Sequence, residues 1–303
     1  MIWVNQIIQG ILLGGYYALL ACGLSFMFGV MRIINLAHGS LAVVAAYALW
    51  FAAEKGDINP LLALIGVVPL MGAIGWGLHK LVLERSARAG ALVPILSTFG
   101  LATVVDNTLF QQFGADTRSL APYIDSLAYD SWTLPGDINL GQLPTLVFCV
   151  AIVLLGSLQL MLARTTLGRQ IRAASEDSDA ASLVGINAPA VYAAASAIAM
   201  MTVALAGASL ALRATFDPYT GPQQLIFAFE AVVIGGAGSL WGTLFGGIAL
   251  GVAQNLGAQV HPQGFLIAGH VAFLAILLAR LYLTTNLKAR LRALIPSIRR
   301  SAT

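Results

Sequence analysis

Charge is scarce in this sequence. Asp, Glu, Lys and Arg make up 10% of 303 residues, whereas an ordinary soluble domain carries about a quarter. That shortage excludes a water-soluble enzyme and a disordered, self-repelling chain. Cysteine is scarcer still: Cys22 and Cys149 are the whole complement. Two scattered thiols build neither a disulfide framework nor a metal site, and both read as buried small hydrophobes in apolar stretches. The first 31 residues hold no charged side chain, so the basic start of a cleaved secretory signal is missing. Phosphate-binding loops are missing too. No Gly precedes a Lys-Ser or Lys-Thr pair, and Lys80 and Trp241 stand where Gly75-Trp76-Gly77 and Gly236-Ala237-Gly238 would need a third glycine. Without a zinc-protease helix motif, a nucleophile elbow or a paired ligand set, the chain is expected to be no enzyme and to hold no metal or cofactor.

What the sequence does have is apolar surface: 58% of its residues are hydrophobic and its mean hydropathy is +0.84. That is about 176 residues, where eight helical spans of about twenty would need roughly 160. The expected fold is an all-α polytopic membrane protein, because helices satisfy every backbone polar group internally while barrel strands would alternate in polarity. Candidate spans lie near 6–30, 36–53, 60–83, 91–112, 143–163, 189–213, 226–256 and 264–284. The seventh is too long for one crossing and contains Gly235, Gly236, Gly238 and Gly242. It is expected to be broken or re-entrant, which makes eight to nine membrane segments.

Basic residues orient the spans. Thirteen of the sixteen flank one set of span ends: Arg32, Lys80, Arg85, Arg88, Arg164, Arg169, Arg172, Arg280, Lys288, Arg290, Arg292, Arg299 and Arg300. Only Lys55, Arg118 and Arg213 fall to the other set. By the positive-inside rule the thirteen are cytoplasmic, the N-terminus is outside, the C-terminus is inside and the number of crossings is odd. The basic tail, 285–303, then anchors topology beside anionic lipid and implies no nucleic-acid partner.

Two connectors stand out. Residues 113–142 are external, with Asp116, Asp125, Asp130 and Asp137 against Arg118; they suit a docking face or lid and equally a solvated connector. Residues 164–188 are internal. There Ser175 or Asp177 caps a short helix, Ala180, Leu183 and Val184 form an apolar stripe, and Gly185 ends it. That pattern suits a socket for a partner engine, or an ordinary connector. Polar groups at membrane depth are few: Asn35, His38, Asp106, Asn107 and Glu230. Such residues are costly in lipid and usually face a bundle interior or a water-filled path. Arg213 and Asp217 fall at the external boundary, placed for an ion pair.

The run Gly23-Leu24-Ser25-Phe26-Met27-Phe28-Gly29-Val30-Met31-Arg32-Ile33-Ile34-Asn35-Leu36-Ala37-His38-Gly39 resembles the first-span signature of branched-chain amino acid ABC importer permeases. Arg172 to Asn187, including Leu183-Val184-Gly185-Ile186-Asn187, is similar to that family's ATPase-contacting segment. The stretch from Gly235 to Gly242, followed by Gly246-Gly247, is similar to its glycine-rich late-span motif. As a set, in order, the three blocks are specific, and the resemblance covers about 5–285. It implies a single permease domain, 1–303, in a bacterial inner membrane. It further implies a translocation path for branched-chain or related hydrophobic amino acids, with Arg169, Arg172, Glu176, Asp177, Leu183, Val184 and Gly185 coupling it to ATPase. The implied partners are a second, similar permease, two cytosolic ATP-binding subunits that hold the ATP and Mg, and an external solute-binding protein. Asp106 stands where an uncharged residue is expected, and Phe227-Ala228-Phe229-Glu230 differs from the commoner lysine-containing lead-in. Urea, short amides and aromatic acids therefore stay open as solutes. A different class, an ion-coupled secondary transporter or channel, would use Asp106 and Glu230 as proton or sodium sites.

Overall fold

The computed structural model describes residues 2–90, 92–134 and 138–300, and side chains other than Leu134 and 284–300. Asp137 and the side chains of the basic tail lie outside the described residues. The chain is a helical bundle. Its elements are α1 (Ile2–Met31), α2 (His38–Gly56), α3 (Pro60–Leu78), a π-helical turn (His79–Leu83), α4 (Glu84–Ala89) and α5 (Val93–Phe113). A short α6 (Ser126–Tyr129), strands β1 (Ser131–Leu134) and β2 (Ile138–Gly141), and α7 (Gln142–Arg164) follow. Then come α8 (Thr166–Glu176), α9 (Ser178–Leu183), α10 (Ala188–Arg213), α11 (Gly221–Gly235), α12 (Leu240–Val260) and α13 (Gly264–Arg300). Among the described residues, six helices are long and apolar enough to cross a membrane, or seven if the pair α11 and α12 is one broken span.

The helix starts follow local chemistry. Asn59 accepts from the Leu61 N–H at 2.9 Å ahead of Pro60, Asn187 from Ala190 at 3.1 Å ahead of Pro189, and Ser239 from Gly242 at 3.1 Å. Each satisfies an orphan donor of the first turn, where proline has no N–H to lose.

The centre of the bundle is α1, apolar on every side and buried from Leu12 to Met27, as such a helix must be. Small residues let neighbours approach it. Gly10 and Gly14 of α1 meet Val252 and Ile248 of α12, while Gly247 and Gly251 of α12 meet the carbonyls of Gly14 and Gly10. Gln6 donates to Gln259 at 3.1 Å near one end of this pair, and Gly29 meets Gly238 at the other. Helix α12 therefore runs antiparallel to α1 along nearly its whole length.

Depth along α1 places the other elements. After α1 the chain turns at Arg32, with φ of +55°, and doubles back. By His38, whose Nε2 donates to the Leu20 carbonyl at 2.7 Å, it has returned to the middle of α1. Helix α11 also starts inside the bundle, since Gln224 accepts from the Tyr16 hydroxyl at 2.5 Å. It ends beside α12, and the two helices meet at a 115° bend.

The two ends of the bundle differ. At one, Asn139 packs on Asn5 and Gln9, Tyr123 donates to Glu54, and Arg118 pairs with Phe216 in an antiparallel bridge. At the other lie Met31, the π-turn and α4, α8, α9 and the α11–α12 bend. The basic residues Lys80, Arg88, Arg169 and Arg172 are at this second end.

Each expected span has a helix under it. The expected all-α architecture needs one addition, the antiparallel hairpin of β1 and β2. One expected span, 36–53, is a helix that is not apolar enough to count among the membrane-crossing ones, because Glu54 and Lys55 close it and His38, Gly39 and Ser40 open it. Cys149 is exposed on α7, whereas Cys22 is buried. The outward face of α7 is among the least buried, so its thiol lies at the bundle surface.

Candidate translocation path and coupling face

Asn35 and His38 sit in the sealed core, both fully buried. Asn35 accepts from the Ala37 N–H at 3.0 Å, and its Nδ2 has no partner. The His38 ring fits because Gly23 has no side chain: a Cβ there would stand 3.0 Å from His38 Cε1 and 2.6 Å from Thr202 Oγ1. These two residues hold the point where α1 doubles back into α2.

Asp106 and Asn107 lie on α5, on another side. Asp106 is buried next to the Ser40 hydroxyl. Asn107 donates to the Thr103 carbonyl at 2.7 Å and accepts from the Tyr219 hydroxyl at 3.4 Å. Ser40 and Gly39 in turn press on Gly221, where any side chain would collide with their backbone. The starts of α2 and α11 and the middle of α5 thus meet at one place, formed by Ser40, Asp106, Asn107 and the 219–221 turn.

Glu230 points elsewhere. It is buried on α11 and its Oε1 lies 2.5 Å from His270 Nδ1, on α13, in a contact that His270 leaves about half open. Ten residues on, Arg280 donates to the carbonyls of Val233 at 2.8 Å and Ile234 at 2.6 Å, satisfying orphan acceptors at the end of α11. The expected path residues therefore divide into three places, and the structure does not bring Glu230 together with Asp106. His270 and Arg280 were not expected at this site. The signal for Arg280 was available: it is the cation that closes the charge-free run 231–279.

At that break Gly236 and Gly238 have φ of +95° and +87°, a region that side chains rarely adopt. Gly235 and Gly242 are pressed against each other's backbone, as are Gly246 and Ala231. At these points the two arms meet backbone to backbone.

In the internal connector Asp177, not Ser175, caps α9, accepting from the N–H groups of Asp179 at 2.9 Å and Ala180 at 3.0 Å. Ser175 instead bonds back into α8 through the Arg172 carbonyl. Leu183 is 87% exposed and Val184 77%, with Ala180 exposed beside them, while Ala181 faces inward. Gly185 ends the turn at φ +84°. Arg172 reaches the Leu162 carbonyl, Arg169 the Thr166 hydroxyl, and Tyr192 the Ala174 carbonyl at 2.6 Å. The first of these bonds ties the connector to α7 and the last ties it to α10. Glu176 lies in the last turn of α8, exposed. A groove of about 610 Å³ runs beside α9, lined by Glu84, Arg88, Ser178, Ser182 and Tyr192.

The expected Arg213–Asp217 pair is not formed. Arg213 lies over the Tyr16 ring, 4.6 Å from its centroid, and Asp217 accepts from Tyr219 N–H and Thr220 hydroxyl inside its own turn. In the outer connector, Arg118 stacks 3.9 Å over Trp50. The Glu54 carboxylate raises the pKa of the Tyr123 hydroxyl that it binds.

The family described as branched-chain amino acid transport system, permease component, matches residues 6–284. A high-affinity branched-chain amino acid transport system permease protein of Pseudomonas aeruginosa is 27% identical over 95% of this chain and 96% of its own length. Its Escherichia coli counterpart is 26% identical over 95% and 96%. A probable branched-chain amino acid transport permease protein of Methanocaldococcus jannaschii is 29% identical over 91% and 90%. No solved structure matches.

Proposed function

Because the chain belongs to the branched-chain amino acid transport permease family, we propose that it is the membrane subunit of an ATP-driven importer for leucine, isoleucine, valine or close analogues. The single observation that carries this is the match of nearly the whole chain to this family, with relatives of similar length that are permease proteins of such systems. It is a multi-pass inner-membrane transport subunit rather than an enzyme. The ion-coupled reading is not favoured, since these relatives are permease components of transport systems.

Beyond this, the proposal has a topology and a division of labour. The basic end is cytoplasmic and the hairpin end external. Counting α2 and both arms of the α11–α12 bend gives nine membrane segments, an odd number, as an external N-terminus with a cytoplasmic C-terminus requires. The antiparallel register of α12 on α1 supports this: if one crosses, so does the other. The 113–142 connector receives the solute-binding protein. Asp106 and Asn107 border the path, Asn35 and His38 fix the α1–α2 return beside it, and Glu230 holds the broken helix to α13. Leu183 and Val184, on a capped turn ended by Gly185, enter the ATPase. Arg169, Arg172, Glu176 and Asp177 hold that turn in place, and the ATPase pair supplies ATP and Mg chemistry. A second, similar permease completes the path.

Purification of the tagged chain from native membranes tests the assembly; an ATP-binding subunit and a second permease should come with it. Cysteine labelling tests the topology, in a background lacking Cys22 and Cys149. An impermeant reagent should reach residue 126 in intact cells and residue 182 only after the membrane is opened. The reverse pattern would overturn the orientation.

A further inference from the structure

Two carboxylic acids lie at membrane depth, and their surroundings differ. Glu230 has His270. Asp106 is 6% exposed, its neighbour Ser40 is neutral, and its Oδ1 is shut from solvent with no hydrogen-bond partner. The described residues form three ion pairs and none includes Asp106. A buried carboxylate without a positive partner is unfavourable; it is neutralised either by taking up a proton or by a cationic group from outside the chain.

A second observation concerns the exposed face next to Asp106. Thr103, Asn107 and Gln111, four residues apart on α5, are all exposed, so they form a polar stripe on a membrane-crossing helix. Polar side chains in such a stripe face water or another polypeptide rather than lipid. Two partly exposed rings, Phe110 and Tyr219, pack 5.5 Å apart at the same level. An acid next to an apolar wall, along a polar stripe, is complementary to a molecule that carries a cation and a hydrocarbon group close together.

We infer that Asp106 receives the α-ammonium group of a zwitterionic amino acid moving along α5, while the solute's hydrocarbon side chain passes Phe110 and Tyr219. The inference rests on the amino-acid importer reading and narrows it. Urea and short amides carry no cation, and aromatic acids carry only a negative charge that Asp106 would repel. The residue that departs from the expected uncharged one thereby becomes the selector for an ammonium group.

The test uses the whole importer, this chain with its permease partner, ATPases and binding protein, in proteoliposomes with radiolabelled leucine. Asp106→Asn keeps the shape and removes the charge. It should lower the leucine turnover number at least tenfold, with KM, which the binding protein sets, within twofold of the parent. Asp106→Glu should recover at least a third of the parent rate. Amounts of assembled complex should match the parent, and the melting temperature of the solute-free Asp106→Asn complex should be at or above the parent's. Leucine transport by Asp106→Asn within twofold of the parent would overturn the inference. So would Asp106→Glu being as slow as Asp106→Asn, because the role would then be one of shape. Failure of the importer reading looks different: the unmodified complex would move urea or acetamide and no amino acid.

Discussion

The seam between α1 and α12 should fail at a single methyl group. A Cβ added at Gly10 would stand 2.5 Å from Val252 Cα, and one at Gly14 would stand 2.5 Å from Ile248 Cα. Both neighbours are backbone atoms and cannot rotate aside. Ordinary contact begins at 3.4 Å, so Gly14→Ala must part the helices by about 0.9 Å. Overpacking of this kind costs about 1–3 kcal/mol, and the better helix propensity of alanine returns only about 0.5–1 kcal/mol. The net effect of either substitution is a loss of stability. The double variant should lose less than the sum, because the two sites are one turn apart and the first displacement relieves the second. Gly66→Ala is the opposite case: nothing lies within 4 Å of its Cβ in the middle of α3, so only the propensity gain of about 0.5–1 kcal/mol remains. Thermal unfolding in lipid nanodiscs, followed by tryptophan fluorescence, should put Gly14→Ala below the parent and Gly66→Ala at or above it. A Gly14→Ala protein as stable as Gly66→Ala would refute the close-packed seam.

Two further predictions concern sites at the basic end and at the α13 contact. The double variant Leu183→Asp, Val184→Asp puts charge on the most exposed apolar pair of the internal connector; membrane amounts should be normal, while ATPase subunits no longer co-purify and solute-stimulated hydrolysis is lost. Full transport with the ATPase bound would return that turn to an ordinary connector. His270→Ala leaves Glu230 buried without its partner and should cost about 1–3 kcal/mol, whereas Glu230→Gln, which removes the charge, should cost less. The opposite order of melting temperatures would contradict the pairing.

Much of the architecture was legible because a membrane helix must be long, apolar and nearly free of charge. Each such run in this sequence is a helix, and the glycine-dense stretch before Trp241 is where α11 and α12 meet. Depth was harder to read. Nothing in Arg32 to Ala37 announces that the chain re-enters the bundle, since the turn depends on a positive φ at Arg32 and on the seat that Gly23 leaves for His38. Azimuth was harder still. In helices apolar all round, spacing does not say which side faces a neighbour, so Asp106 and Glu230 looked equivalent until their partners were visible. The partner His270 carried no sequence signal, being one histidine among exposed apolar residues forty positions away. In the internal connector, by contrast, local chemistry narrowed the cap to Ser175 or Asp177; the structure uses Asp177, and Gly185 ends the turn as its sequence position suggested.

The central claim is that this chain forms the membrane path of an importer for branched-chain amino acids. ATP-dependent uptake of radiolabelled leucine, isoleucine and valine into proteoliposomes tests it directly. The vesicles contain this chain with its permease partner and ATPases, and the loaded binding protein is added outside. Uptake should require ATP hydrolysis and the binding protein, persist when proton and sodium gradients are collapsed, and disappear when this chain is omitted. Uptake that continued without ATP and followed an ion gradient would contradict the account.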